Sequence, residues 1–246
     1  MRRFFVNKTI NAGESVVLQG DEARHIASVL RMQKGDELIL INGSGNEMSA
    51  MIESVSNGEI SVIVTGVSLC AAEPKFRITL FQGLPKSDKL EFIIQKCVEL
   101  GIFAVCSVQM KRSVVKGERS SSKLERYNRV AHEAAKQSGR AYAPKVFTAP
   151  GLKDCRLSDF DLVLIAYEDE SEKSLKSILN AVKSNLPHNA NIAMVIGPEG
   201  GFDPAEVEYI LSLNENAHSV SLGTRILRTE TAGMAMLAML MYELEG

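Results

Sequence analysis

Two segments of the sequence combine glycine-rich turns with side chains that could do chemistry. In the first, the apolar stretch Ile192 to Ile196 runs into Gly197-Pro-Glu-Gly-Gly201, and Asp203-Pro-Ala-Glu206 follows. Glycines let a ligand approach the backbone closely, and the Asp, Pro and Glu are typical of a capped helix start. The segment matches neither GxGxxG nor a P-loop. Two interpretations stay open: a turn that binds a ligand, or a strand-to-helix turn that binds nothing.

The second segment adds arginines to the same pattern. A predicted strand ends at Leu222-Gly223, and the loop that follows holds Arg225 and Arg228 among apolar residues. An arginine beside a strand end could bind an anion or stabilise charge on a substrate carbonyl; the alternative is a solvated or ion-paired arginine. The methionines of the last helix lie on more than one face. This pattern predicts that the helix is buried nearly all round, in the core or at a subunit interface.

The elements that must position these segments alternate between strand and helix. After Pro74 the predicted strands span residues 76–82, 102–108, 162–167, 192–196 and 219–222, and the predicted helices span 88–100 (capped by Ser87), 123–137, 174–182, 205–213 and 229–244. Alternation of this kind predicts an α/β fold with a mostly parallel sheet covered on both faces. Ligands bind such sheets at the carboxyl ends of the strands, where both glycine-rich turns lie.

The first 70 residues have a different, β-rich pattern. Strands are predicted over residues 37–41, 48–55 and 59–67, with one short helix from Asp21 to Arg31. Asn42-Gly43 and Asn57-Gly58 are typical of turns between strands. Short strands at close spacing predict a small β-barrel or half-barrel. The pattern changes around Cys70 to Pro74, so two domains are predicted, residues 1–72 and residues 73–246.

Charge is distributed unevenly along the 246 residues. The totals, 28 Lys and Arg against 30 Asp and Glu, give a net charge of −2 and alone favour no nucleic-acid partner. Residues 1–74 hold 6 basic and 9 acidic residues, residues 75–145 hold 15 and 6, and residues 146–246 hold 7 and 15. The basic middle segment, residues 75–145, therefore carries +9. It could contact phosphate groups, although a run of charge is more often a solvated surface.

Other features argue against several classes of protein. The N-terminus lacks an apolar stretch of signal-peptide length, and the longest apolar run, Ala232 to Tyr242, is too short to span a bilayer. The cysteines form no CxxC pattern and the histidines are scattered, so no metal site or disulfide framework is predicted. Reduced thiols predict a cytoplasmic protein. The residues concerned are Cys70, Cys97, Cys106, Cys155, His25, His132, His188 and His218.

The two C-terminal segments closely resemble a known family. Val195-Ile-Gly-Pro-Glu-Gly-Gly-Phe202 and Leu222-Gly-Thr-Arg-Ile-Leu-Arg-Thr-Glu-Thr-Ala232 are similar to the paired motifs of the RsmE family, the 16S rRNA uridine-N3 methyltransferases of the SPOUT class. Met1-Arg-Arg-Phe-Phe5, Lys111-Arg-Ser113 and Glu133-Ala-Ala-Lys-Gln-Ser-Gly-Arg140 agree with that family as well. The resemblance therefore covers the whole chain.

The resemblance implies a fold, an activity and partners. It implies a PUA-like β-barrel RNA-binding domain over residues 1–72 and a SPOUT methyltransferase domain over residues 73–246, whose C-terminal segments form a trefoil knot. The implied reaction is S-adenosyl-L-methionine-dependent methylation of N3 of a uridine (uridine 1498 in the family) in 16S rRNA of the small ribosomal subunit, by a homodimer without metal. The alternatives are a SPOUT enzyme for another RNA position, such as a tRNA ribose, and a non-catalytic ribosome-assembly protein that only binds RNA.

Site residues follow from the same resemblance. Arg228 is the first candidate for stabilising charge on the uracil oxygens. Glu199 is either a base beside the cofactor or, as we favour, a structural residue that caps backbone N–H groups. The implied cofactor-binding residues are Ile165, Ala166, Tyr167, Ile196, Gly197, Pro198, Gly200, Gly201, Leu222, Gly223, Ile226 and Leu227. The candidate RNA contacts are Arg2, Arg3, Arg24, Arg31, Lys86, Lys111, Arg112, Lys116, Arg119 and Arg140.

Overall fold

The protein forms two compact units in a computed structural model that describes residues 2–6, 8–56, 58–86, 89–115, 121–213 and 215–245. The first unit comprises residues 1–73 together with residues 135–143, and the second comprises residues 74–134 and 144–246. Residues 135–143 therefore pack with the first unit, although the division by sequence pattern places them in the second domain.

The first unit is built on one five-stranded sheet around an apolar core. Its strands are β1 (Arg3–Phe5), β2 (Ser15–Leu18), β3 (Glu37–Ile41), β4 (Asn46–Ser56) and β5 (Glu59–Leu69), in the order β1-β3-β4-β5-β2. All neighbours are antiparallel except β1 and β3. Register shifts in the long β4–β5 pair are bulges that bend strands. Helix α1 (Gly20–Arg24), which continues as one π-helical turn to Val29, buries Ala23 and Ile26 in the core. The β-rich half-barrel is thus confirmed.

A buried ion pair fixes residues 135–143 within the first unit. The Glu73 carboxylate accepts hydrogen bonds from the backbone N–H groups of Ala141 (2.8 Å) and Tyr142 (2.9 Å), and from the guanidinium of Arg140 (2.7 Å). Arg140 is 3% exposed. A guanidinium buried on a carboxylate cannot also contact RNA phosphates. The prediction of Arg140 as an RNA contact is therefore corrected: its charge is used inside the unit.

The second unit contains a six-stranded parallel sheet, which confirms the predicted α/β fold. Its strands are β6 (Arg77–Gly83), β7 (Ala104–Val108), β8 (Lys145–Ala149), β9 (Leu162–Ala166), β10 (Asn191–Ile196) and β11 (Ala217–Val220), in the order β11-β9-β10-β6-β7-β8. The helices are α2 (Lys89–Glu99), α3 (Ser121–Gln137), α4 (Leu175–Val182), α5 (Pro204–Leu211) and α6 (Thr229–Glu245). Strands covered on both faces are expected to be apolar, as β9 is throughout and β10 is after its exposed first residue, Asn191.

Several elements differ from the sequence prediction. Strands β1, β2 and β8 were not predicted; all three lie at sheet edges, where one face or one neighbour is missing and the apolar pattern is weak. Strand β11 ends at Val220, so Leu222 belongs to the following loop. Ser87, the predicted cap of α2, lies outside the described residues.

Within the chain, helix α6 is buried on one face only, so the core alone does not bury it nearly all round, and burial of its other face at a subunit interface stays a prediction. Its inner face holds small and apolar residues such as Gly233, Met236 and Leu240, and it packs against α2. Met239 is 41% exposed and Tyr242 is 79% exposed on the opposite face. Among the described residues, every helix is too short or too polar to cross a membrane.

Burial makes the four thiols poor nucleophiles. Cys70, Cys97, Cys106 and Cys155 are all buried, and desolvation raises the pKa of Cys97 to about 12. Only the thiolate attacks a disulfide reagent. We expect native protein at about pH 8 to react with a chromogenic aromatic disulfide far more slowly than protein unfolded in guanidinium chloride, which should release four equivalents. A rapid stoichiometric burst from native protein would contradict the burial.

Candidate functional site

A cavity of about 510 Å³ lies at the carboxyl ends of β9, β10 and β11. Its walls are mainly three loops, residues 166–168, residues 196–202 without Gly200, and residues 220–229. Lys89 and Ala232 complete it. Cavities of roughly 300–1,000 Å³ are typical of small-molecule sites. The position is the one that parallel α/β sheets use for ligands, because the loops from neighbouring strands converge there.

The glycine-rich turn after β10, residues 197–201, lies tightly against neighbouring backbone. A Cβ added at Gly83, the last residue of β6, would lie 2.5 Å from the Pro198 nitrogen, so no other residue fits there without a shift. Gly201 has φ +69°, a left-handed conformation that favours glycine. The turn ends at Asp203, whose side chain accepts from the Ala205 N–H and begins α5. The turn's shape is therefore set by packing and by the helix cap together.

A buried chain of hydrogen bonds joins this turn to two other elements. Gln82, fully buried at the end of β6, donates from Nε2 to Thr229 Oγ1 (2.8 Å). Thr229 Oγ1 in turn donates to the Gly197 carbonyl (2.6 Å). The chain fixes one cavity wall to the start of α6. Sequence reasoning missed Gln82. An amide side chain at the end of the mostly apolar run Ile78 to Phe81 was a usable signal.

Glu199 is held by backbone and lysine donors. Its carboxylate accepts from the Lys86 N–H (3.1 Å) and from Lys89 Nζ (3.1 Å), and Lys89 also pairs with Glu230 (3.2 Å). Partial burial works to raise the pKa of Glu199. Hydrogen bonds from its own N–H and that of Lys86, with the Lys89 ammonium, outweigh burial and leave this pKa below its usual range. A carboxylate that is held by these donors matches the structural role considered for Glu199, in which it caps backbone N–H groups, and not the role of a base.

Two arginines and one carboxylate leave their charges available in the cavity. Arg225, Arg228 and Glu168 all line it. Within the ranges given above for the described chain, none of the three side chains has a hydrogen bond or ion pair. A charged group that has no partner within the protein can bind a ligand without first breaking an ion pair or hydrogen bond. The cavity therefore offers two cations and one anion to whatever binds there.

Most of the expected cofactor-binding residues meet at this cavity. Ten of the twelve line its walls, as do both catalytic candidates, Arg228 and Glu199. Ile165, a residue of β9, is instead buried in the apolar core, and Gly200 packs against Arg112. Further lining residues that sequence reasoning did not select are Lys89, Glu168, Phe202, Val220, Ser221, Thr224, Arg225, Thr229 and Ala232.

The candidate RNA contacts have several different environments. Arg3 pairs with Glu47 (3.2 Å) in the first unit. Arg31 is exposed with φ +51°, an uncommon backbone conformation for a residue other than glycine. Lys116 and Arg119 lie outside the described residues. The remaining candidates apart from Arg140 are exposed: Arg2, Arg24, Lys86, Lys111 and Arg112. In the described part of the chain, no group of three or more His, Cys, Asp or Glu residues could hold a metal ion.

Fold and cavity together define an α/β domain with a ligand site at its strand ends, preceded by a small β domain, and comparisons with known proteins identify this class. The family model described as RNA methyltransferase domain matches residues 72–241. The family model described as RNA methyltransferase PUA domain matches residues 18–65.

Individual relatives narrow the class. The ribosomal RNA small subunit methyltransferase E of Bacillus subtilis is 37% identical, over 100% of this chain and 98% of its own length. The enzyme of that name from Neisseria gonorrhoeae, solved bound to S-adenosyl methionine, is 27% identical with a TM-score of 0.76, over 98% of this chain and 96% of its own. A methyltransferase from Legionella pneumophila, solved with its cofactor SAM, is 27% identical with a TM-score of 0.72 over 97% and 96%. The chain belongs to the ribosomal RNA small subunit methyltransferase E family.

Proposed function

We propose that the protein methylates N3 of a uridine, uridine 1498 in the family numbering, in 16S rRNA of the small ribosomal subunit, with S-adenosyl-L-methionine as methyl donor. The observation that carries the proposal is the cavity. Three loops at neighbouring strand ends line it, and Arg228 is a lining residue whose side chain has no hydrogen bond or ion pair in the described ranges. A site of this kind suits a small cofactor and a reaction that develops negative charge.

The residues present fit S-adenosylmethionine. The cavity volume of about 510 Å³ suits a ligand of this size. Apolar walls from Leu222, Ile226 and Leu227 would hold its adenosine, and the carboxylate of Glu168, unpaired within the described residues, matches its positively charged part. Backbone groups of residues 197–201 and 222–227 would supply hydrogen bonds. When bound, the cofactor supplies an electrophilic methyl group on a sulfonium.

The residues of the cavity then have two tasks. The first is to orient uracil N3 toward the methyl carbon, which is a matter of proximity and alignment. The second is electrostatic: as the N3 proton leaves, charge develops on the neighbouring carbonyl oxygens, and the Arg228 guanidinium stabilises it. A carboxylate or a water molecule accepts the proton. Of the two cavity carboxylates, Glu199 is already occupied by donors, which leaves Glu168 or water for this step.

Wider features of the proposal come from the family resemblance. They are SPOUT-class knotting of the C-terminal segments, a domain of residues 1–72 that binds RNA, a domain of residues 73–246 that holds the cofactor, and a cytoplasmic location. A homodimer is supported by the exposed apolar side chains of Met239 and Tyr242 on α6, since such groups favour burial against a second surface.

The direct test is methyl transfer from labelled S-adenosylmethionine to small ribosomal subunits that lack the modification, with the modified nucleotide mapped. We expect label on N3 of one uridine of 16S rRNA. Label on a ribose would favour a SPOUT enzyme of another specificity. No transfer, with RNA binding retained, would favour the assembly-protein alternative.

Glu199→Gln separates its two possible roles. The amide keeps the shape but loses the charge that pairs with Lys89, so we expect activity to fall by less than about tenfold with an unchanged pH profile. Loss of a general base costs roughly 10²- to 10⁴-fold. The size of the loss in steady-state kinetics between pH 6 and 9 decides between the roles, because a carboxylate whose pKa lies below its usual range is ionised throughout that interval. A fall of that larger size would make Glu199 the base.

A further inference from the structure

The loop after β7 is fastened to the glycine-rich turn by contacts that the proposed reaction does not use. We call residues 109–115 the basic loop. The Lys111 N–H donates to Glu206 Oε1 (2.9 Å), and Lys111 Nζ pairs with Asp203 Oδ1 (2.8 Å). Arg112 Nη1 donates to the Gly200 carbonyl at 3.4 Å. Three contacts therefore hold Lys111 and Arg112 against the start of α5 and the glycine-rich turn.

Glu206 has a double function in this arrangement. Its Oε2 accepts from the Asp203 N–H (3.1 Å), which completes the capping box of α5. Its Oε1 accepts from Lys111 in the basic loop. An ordinary capping box needs only the first of these bonds. Glu206 is 9% exposed, and a buried carboxylate is costly unless its oxygens are hydrogen-bonded. The loop is therefore part of what makes burial of this carboxylate favourable.

Gly200 allows the close approach from the other side. A Cβ at this position would lie 2.8 Å from the Arg112 carbonyl oxygen and 3.0 Å from the Arg112 Cβ. A side chain there would push the basic loop away from the turn. Gly200 does not line the cavity. The need for glycine at this position is therefore explained by its packing against Arg112 and not by contact with a cofactor.

We propose that Glu206 is a positioning residue for RNA binding: through the Lys111 N–H it holds the basic loop on the glycine-rich turn, so that Arg112 is presented beside the cavity. This inference rests on the proposed function, because it takes rRNA as the ligand of Arg112. Arg112 is exposed, and within the described residues its guanidinium makes one long hydrogen bond, to the Gly200 carbonyl, so it can still contact a phosphate.

The test is a double-mutant cycle on Glu206→Gln and Arg112→Ala. The probes are unmodified small ribosomal subunits and S-adenosylmethionine, each titrated separately. Arg112→Ala should weaken subunit binding by about tenfold and lower its salt slope by about one. Glu206→Gln should weaken it by about three- to tenfold, because the amide places an NH₂ group against an N–H donor. The double variant should bind subunits within about twofold of Arg112→Ala alone, since the two changes remove the same contact.

Two further variants keep the outcome interpretable. Gly200→Ala displaces the basic loop without touching Glu206 and should also weaken subunit binding more than cofactor binding. Ile78→Val, a buried change at the far end of β6, should destabilise the fold modestly yet keep subunit affinity. Multiplicative losses in the double variant, or equal losses of subunit and cofactor affinity, would overturn the inference alone. A wild-type protein that binds no subunits would overturn the proposed function with it.

Discussion

Replacing Arg228 with alanine is expected to lower kcat by about 10²- to 10³-fold, the usual cost of removing one donor that stabilises transition-state charge. The side chain lies in the cavity and makes no hydrogen bond or ion pair with other residues in the part of the chain described above. Its loss should therefore leave no protein group unpaired. The effect should be on chemistry, with little change in stability.

The matched control for this prediction is Arg225→Ala. Arg225 lies in the same loop, lines the same cavity and likewise has no ion pair within the described residues. Arg225 lies four residues before the start of α6, whereas Arg228 is adjacent to that start. We therefore expect replacement of Arg225 to act more on KM for the RNA than on kcat. Single-turnover methyl transfer would separate the two effects. Equal losses of kcat in both variants would mean that Arg228 has no special role.

Replacing Glu73 with alanine is expected to remove about 3–5 kcal/mol from the free energy of unfolding of the first unit, as when one partner of a buried ion pair is deleted. Arg140, 3% exposed, would keep its charge and lose the Glu73 carboxylate. The N–H groups of Ala141 and Tyr142 would lose their acceptor as well. Urea unfolding, followed by a probe confined to the first unit, would measure the loss.

Two variants calibrate this result. Glu47→Ala removes the more exposed pair with Arg3 and should cost no more than about 1 kcal/mol. Combining Glu73→Leu with Arg140→Met should recover part of the stability, because no buried charge then remains. A loss for Glu73→Ala no larger than that for Glu47→Ala would show that the buried pair contributes little.

The sequence was informative where the chain forms contiguous buried elements. The runs that became β9 and β10 are apolar throughout because both faces of the sheet are covered, so their ends could be located and the cavity loops predicted from them. The cavity is lined by short stretches of backbone at those ends. The twelve cofactor-binding residues that the family resemblance implies lie in or beside those turns, and ten of them line the cavity.

Contacts between distant residues were not predictable in this way. Nothing local marks Arg140 as buried, because its partner is Glu73, 67 positions earlier. The Gln82 to Thr229 hydrogen bond spans 147 positions. Lys111 and Arg112 were predicted as RNA contacts from charge alone, and their attachment to Gly200 and Glu206 appears only when β7 and β10 are brought into one sheet.

The discontinuity of the first unit sets an order on its folding during synthesis. Glu73 is translated 67 residues before Arg140, which corresponds to about 3 to 13 s at ~5–20 residues per second. Throughout that interval the sheet of the first unit is complete in sequence but lacks residues 135–143. A nascent chain halted in this window, or a fragment cut at Pro74, would have an unpaired carboxylate where the native unit has a buried salt bridge. The first unit is therefore the first to be translated, but it can be completed only after residues 74–134 of the second unit have been made.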